Sequence, residues 1–245
     1  MKQAKKELYD YLNEHEGTIF YHEENPVLAG MLENTMAKSV GYGREGHSDC
    51  WGRVVSASPY LKVELHIGED SYPVSTRMAG GYNFENLLAA ACAGNQFTVS
   101  AEQIVTAIEA YTPQNSRSQV FRTERNQLLL DYYNANPTSM SESLNNFFGY
   151  IQGSRMVILG DMFELGDETL REHAAIVGLL LSHPDVTRAV VGKHFFEAAK
   201  DASGILTFSE MEELKKWLAD HPPSNMFILV KGSRGMKLEQ LTDLL

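Results

Sequence analysis

Apolar positions recur at Ala4, Leu8, Tyr11 and Leu12, a helical stripe over residues 2–15. A short β-prone run follows at 18–22, and Pro26 opens a second helix through Leu32. Four more β-prone runs stand at 38–42, 52–57, 61–67 and 72–76. In the third, Leu61, Val63, Leu65 and Ile67 alternate with Lys62, Glu64 and His66. That period of two predicts antiparallel strands with one wet face. Alanine-rich helices are expected at 83–93 and 100–110.

A polar break at 111–116, Tyr-Thr-Pro-Gln-Asn-Ser, marks a domain boundary. Beyond it, continuous apolar runs at 128–130, 156–159, 189–191 and 227–230 alternate with helix-periodic stretches. Strands alternating with helices predict a parallel sheet covered on both faces. The fold class is therefore α/β. Residues 113–245 read as a Rossmann-like domain with a parallel-rich sheet. Residues 1–112 read as an incomplete α/β domain, opening on a helix and supplying no evident central parallel strands.

The 245 residues are enough for one large domain or two ordinary ones. A formal charge of −11 without a basic cluster argues against a nucleic-acid partner. The longest apolar runs, such as 226–230, are far too short to span a bilayer, which argues against a membrane. The first residues are charged and helix-periodic, unlike a signal peptide. Cys50 and Cys92 have no CxxC spacing and read as free thiols in a reducing cytoplasm.

Four places carry more glycine, charge or polar detail than a core needs. Gly80-Gly81-Tyr82-Asn83-Phe84-Glu85-Asn86 is a glycine turn entering a helix, able to cradle an anion or simply to cap. Residues 129–140 run Leu-Leu-Asp-Tyr-Tyr-Asn-Ala-Asn-Pro-Thr-Ser-Met, a buried strand ending on Asp131 with a helix starting near Pro137. In open α/β sheets ligands bind outside the carboxyl ends of strands. An aspartate there can hold ribose hydroxyls or a cation, or merely end the strand while Asn136 caps the helix. Residues 159–166, Leu-Gly-Asp-Met-Phe-Glu-Leu-Gly, and 229–236, Leu-Val-Lys-Gly-Ser-Arg-Gly-Met, are two further strand ends with charged loops. With parallel strands, the last three loops fall on one edge of the sheet. Arg117 adds an always-charged bidentate group suited to phosphate. His173 and the Met and Phe side chains of 140–151 read as core, and Glu210-Met211-Glu212-Glu213 as a solvated helix face.

Taken together, these four motifs resemble the Mur ligase family over the whole chain. The resemblance is to the branch that joins D-alanyl-D-alanine to UDP-N-acetylmuramoyl-tripeptide in peptidoglycan precursor synthesis. The motif D-Y-Y-N-A-N-P-T-S-M looks like that branch's D-S-Y-N-A-N-P-x-S-M. G-D-M-F-E-L-G with His173 downstream looks like its G-D-M-x-E-L-G followed by His. K-G-S-R-G-M-K-L-E resembles its last strand and loop. G-G-Y-N-F-E-N resembles G-R-H-N-x-x-N, with Tyr82 where the family has histidine, so no histidine role carries over.

The resemblance implies ATP and Mg²⁺ as cofactors, and an acyl phosphate attacked by the incoming amine. It implies that Asn86 and Asn83 contact adenine, Arg117 the ATP phosphates from across a domain cleft, and Asp131 the ribose. Lys5, the catalytic candidate, matches a lysine that relatives carbamoylate into a Mg²⁺ ligand. Asn134, Asn136, Lys231, Ser233 and Arg234 are implied on the substrate side, where Arg234 suits a dipeptide carboxylate. Residues 1–112 are then the later part of a central ATP-binding domain, and 113–245 the family's C-terminal domain. The family's G-T-N-G-K-T phosphate loop occurs nowhere in the sequence. A missing N-terminal part of the same protein is therefore expected as a partner, and inactivity without it. Two alternatives stand beside this reading: another Mur-type or folylpolyglutamate-type ligase, and a non-catalytic nucleotide- or dipeptide-binding paralogue.

Overall fold

The computed structural model describes residues 2–33, 35–44, 48, 50–57, 60–114, 116–150 and 153–245. Asn115 of the polar break and Ile151, at the end of the 140–151 stretch, lie outside the described residues. The chain forms two compact units, Met1–Arg77 with Gly81–Tyr111, and Met78–Gly80 with Thr112–Leu245.

The first unit runs α1 (Lys2–Glu14), β1 (Thr18–His22), α2 (Pro26–Gly30), β2 (Lys38–Tyr42), β3 (Cys50–Ser56), β4 (Lys62–Ile67), β5 (Asp70–Ser75), α3 (Asn83–Gln96) and α4 (Ala101–Ala110). β1 and β2 pair in parallel, Thr18 opposite Lys38 through His22 opposite Tyr42. Residues 1–112, where the sequence shows no evident central parallel strands, thus hold one parallel pair in a sheet of two strands. Their five-residue runs are only partly buried, so they lack the continuous apolar signature of a covered parallel strand. β3, β4 and β5 form an antiparallel meander. Val63, Leu65 and Ile67 of β4 are buried while Lys62, Glu64 and His66 are not, the one-sided burial its alternation predicts. α3 buries Phe84, Leu87, Leu88, Ala91 and Cys92 and packs against strands of both small sheets. Helix starts follow local chemistry. The Asn25 side chain accepts from the amides of Val27 and Leu28 ahead of Pro26, and Ser100 and Gln103 form a reciprocal capping box on α4. α2 stops at Gly30, short of Leu32.

The second unit holds β6 (Gln119–Arg122), β7 (Gln127–Asp131), α5 (Pro137–Tyr150), β8 (Arg155–Gly160), α6 (Thr169–Leu181), β9 (Thr187–Val191), α7 (Lys193–Ala199), β10 (Leu206–Phe208), α8 (Met211–Asp220) and β11 (Phe227–Lys231). Its strands form one six-stranded sheet in the order β10-β9-β8-β11-β7-β6. All pairings are parallel except β6 with β7. β6 and β10 were not foreseen: at four and three residues they are too short to show a period.

Alternate side chains of the central strands feed two cores. Leu129, Val157, Leu159, Val190 and Leu229 pack with α5, α6 and α7 through Leu144, Phe147, Val177 and Phe195. Leu128, Leu130, Ile158, Val191, Ile228 and Val230 pack with α8 and a C-terminal 3-10 segment through Leu214, Leu218, Leu238 and Leu241. Both faces being covered, these strands read as unbroken apolar runs. Met140, Phe147, Phe148 and His173 are buried as expected of core residues. In the 210–213 run Glu210, Glu212 and Glu213 are all exposed, and Glu210 and Glu213 also form a capping box at the start of α8.

The second unit has a complete sheet between two helical layers, whereas the first relies on a two-stranded and a three-stranded sheet. Limited proteolysis is expected to cut near residues 111–116 and leave a resistant fragment from about Thr112 to Leu245. Mass spectrometry of the surviving fragment checks this, and a stable fragment from residues 1–112 instead would contradict it.

Candidate functional site

Strand register sets the geometry of the site in the second unit. Lys231, the last residue of β11, lies beside Asp131 of β7 on one side and Leu159 of β8 on the other. The loops after β7, β8 and β11 therefore leave the same edge of the sheet side by side. Backbone and side-chain bonds tie them together. The Ser233 amide donates to the Asp161 carbonyl at 3.1 Å, and the Phe163 amide donates to Ser233 Oγ at 3.0 Å. The loops also approach closely at two glycines. A Cβ on Gly232 would stand 3.0 Å from the Gly160 backbone, so a side chain there forces the two loops apart.

Asp131 sits at the centre of this edge. Its Oδ2 accepts from Lys231 Nζ at 2.6 Å and its Oδ1 from the Ser118 amide at 3.2 Å. The Lys231 side chain is 2% exposed and that of Asp131 14%, so the cation is enclosed while the carboxylate keeps an open face. A paired carboxylate can accept further hydrogen bonds on that face. Next to it, the exposed Arg117 guanidinium lies 3.7 Å above the ring centroid of Tyr133, a cation–π stack that parks the arginine beside Asp131's loop.

Other candidates occupy plainer positions. The Asn136 side chain accepts from the Ser139 amide at 2.9 Å and so caps α5, while Asn134 Oδ1 accepts from the Ala135 amide. Ser233 is buried and bonded as above. Arg234 is exposed, and its ion partner is Glu239 at 4.0 Å. In the first unit Asn83 and Asn86 share the first turn of α3, Asn86 Nδ2 donating to Asn83 Oδ1 at 3.3 Å. Lys5 lies exposed on α1.

Two residues hold the edge together although the sequence reading gave them no site role. Asp161, 3% exposed, accepts from the amides of His194 and Phe195, the first turn of α7. Gly192 has φ +120°, and a Cβ there would overlap the Asp161 carboxylate. His173 accepts from the Met162 amide at Nε2 (3.0 Å) and donates from Nδ1 to the Thr169 carbonyl (2.6 Å). Both nitrogens being committed in this way, the ring is neutral. The 3.7 Å approach of Nε2 to Asp161 Oδ1 is therefore proximity, not an ion pair. The sequence marked the 159–166 loop and His173 as parts of one motif, and Gly192 stands directly before α7, but none of these signals says which groups Asp161 and His173 bond.

Comparison with known proteins follows the two units. Residues 1–94 match the Mur ligase middle domain, and residues 116–234 match the domain described as Mur ligase, glutamate ligase domain. The chain belongs to the Mur ligase family. Its relatives include the UDP-N-acetylmuramoyl-tripeptide–D-alanyl-D-alanine ligases of Treponema pallidum and Bacillus subtilis. These are 32% and 27% identical over 99% and 98% of this chain, in each case 53% of the relative. A crystal structure of MurF from Acinetobacter baumannii matches at TM-score 0.83 and 26% identity, covering 99% of this chain and 54% of that one. The fold is shared with MurF ligase from Thermotoga maritima, solved in complex with ADP, at TM-score 0.78 and 18% identity. The chain thus spans about half the length of the curated relatives it matches.

Two features bear on the cofactors of a Mur ligase. Asp131's open face and the neighbouring Arg117 suit a ribose and a phosphate. Among the described residues no group of three or more His, Cys, Asp or Glu side chains is placed to hold a metal, and Mg²⁺ of the kind that accompanies a nucleotide needs only one or two carboxylates beside the phosphates. No helix among the described residues is long and apolar enough to cross a membrane.

His173 gives the Mur fold here a pH signature. Burial pushes its imidazole below the usual 6.5, outweighing the opposing bond to Thr169 and the nearby Asp161 charge, while His194 adds to the lowering. The unfolded chain then binds the proton more readily than the folded one. This contribution to stability is complete above about pH 6.5 and declines as pH falls from there to the lowered folded-state value. Denaturant unfolding of the natural protein and of His173→Gln, compared between pH 8 and pH 5, is expected to show a smaller acid loss in the variant. Equal losses would refute a neutral, buried His173.

Proposed function

We propose that the protein carrying these residues is an ATP-dependent cytoplasmic ligase that joins D-alanyl-D-alanine to UDP-N-acetylmuramoyl-tripeptide. The observation that carries this reading is the match of nearly the whole chain to ligases named for that reaction. In the proposed chemistry the terminal carboxylate of the tripeptide takes the γ-phosphoryl group of ATP and ADP departs. The dipeptide amine then attacks the acyl carbon, phosphate leaves, and the amine proton is lost. Such catalysis rests on positioning and on neutralising charge. Mg²⁺, which phosphoryl transfer of this kind uses, is expected to enter with the nucleotide.

The proposed roles come from the family resemblance and are compatible with the geometry of each unit. In the first unit, later part of an ATP-binding domain, Asn86 and Asn83 offer amides to adenine, and Lys5 carries the carbamate of the family resemblance. In the second, Asp131 offers its open face to the ribose and Arg117 leaves Tyr133 for a phosphate. The β11 loop presents Arg234 to the dipeptide carboxylate. A 4.0 Å exposed contact to Glu239 is worth only ~0–1 kcal/mol, so it yields readily to a substrate carboxylate. Ser233 holds this loop against the β8 loop, and Asn134 and Asn136 shape the turn into α5.

In the full ligase, Arg234→Ala is expected to raise the KM for D-alanyl-D-alanine by about 10- to 100-fold, the loss of one charge-assisted pair. The KM for ATP should stay within twofold. Steady-state kinetics with each substrate varied decides it; an unchanged dipeptide KM, or an equal rise in both, removes the loop from the dipeptide site.

The 245 residues contain no G-T-N-G-K-T loop to cradle phosphates. By themselves they are expected to turn over ATP at least about a thousand-fold more slowly than the full ligase. A phosphate-release assay at saturating ATP and Mg²⁺ checks this. Turnover abolished by Asp131→Ala would show that the phosphates bind elsewhere than proposed.

A further inference from the structure

Lys231 opens the K-G-S-R loop, and its sequence position suggests a cation for the substrate. The structure gives it another partner. Its ammonium is 2.6 Å from Asp131 Oδ2, its side chain is 2% exposed, and it lies in register beside Asp131 in the middle of the sheet. An ammonium enclosed this deeply has no route to a solvent-borne carboxylate unless the ion pair opens, which strands a buried charge. Arg234, three residues on, is the exposed cation of the loop.

We propose that Lys231 is a positioning residue for nucleotide binding: it fixes the carboxylate of Asp131 so that its open face meets the ribose hydroxyls, and it does not touch the dipeptide. This rests on the proposed assignment of Asp131 to the ribose. The geometry is a two-point clamp. The Ser118 amide holds Oδ1 and Lys231 holds Oδ2, so the carboxylate plane has one orientation. A carboxylate ion accepts about four hydrogen bonds, and two are spent on the clamp, leaving acceptor capacity for a pair of vicinal hydroxyls. Without the lysine the clamp is reduced to the 3.2 Å bond from the Ser118 amide, so the carboxylate turns more easily about its last bond and draws water. The loss falls on ligands that need its hydroxyl-accepting face, and spares those that do not.

The test compares binding of ADP and of 2′,3′-dideoxy-ADP to the full ligase by calorimetry, together with the KM for D-alanyl-D-alanine. Lys231→Met is expected to cut the preference for ADP over the dideoxy nucleotide by about tenfold, with the dipeptide KM within twofold. Lys231→Gln, which keeps an uncharged donor in place, should lose about threefold, and serves alone if the methionine variant does not fold. A preserved ribose preference with a dipeptide KM raised tenfold or more overturns the proposal and places Lys231 on the dipeptide. Asp131→Ala separates the two levels. If it abolishes the ribose preference and the lysine variants do not, the ribose assignment stands and the positioning role fails. If it also leaves the preference intact, the ribose assignment itself fails.

Discussion

The enclosed pair of Lys231 and Asp131 is the interaction around which the second unit is arranged. Two opposite charges at neighbouring carboxyl ends let a sheet that is otherwise apolar on both faces finish in chemistry rather than in a plain turn. Each charge alone would be costly to bury there. Together, with the Ser118 amide as a third member, they form a satisfied polar group at the rim of two hydrophobic layers. The neighbouring loops use the same device. Asp161 satisfies the first turn of α7, and Ser233 bonds both ways across to the β8 loop. The edge is rigid because nearly every polar atom in it has been given a partner inside it.

That rigidity separates residues that build the edge from residues that face outward. Asn136, Ser233, Lys231, Asp161 and His173 spend their hydrogen bonds on the scaffold. Among the described residues Arg117 rests on a ring face and Arg234 near a distant carboxylate, and Asp131 keeps one open side. A ligase of the Mur family has to bring charged reactants together and then release charged products.

Much of the second unit was legible in the sequence because its strands are long enough and apolar enough to announce themselves. The runs at 128–130, 156–159, 189–191 and 227–230 all became central strands, and the loops after three of them did meet at one edge. The parallel pair in the first unit was not legible, since half-buried five-residue strands leave no period to read. At the site, motifs located the loops but not the division of labour within them. Lys231 and Arg234 look equivalent in a string of letters. Only register and burial show that one points into the sheet and the other into solvent. Nor can spacing reveal that Asp161 serves a helix more than thirty residues away.

The position of β11 has a consequence for how the protein is made. It is the final strand of the chain, yet it lies in the middle of the sheet, between β7 and β8. Until residues 227–231 leave the ribosome, the β6–β7 hairpin and the β8–β9–β10 sheet have no shared strand, and each exposes an apolar edge. The sheet is completed only when this last strand takes its place between the two halves. Such late, long-range closure favours slow folding and gives chaperones a defined interval in which to act.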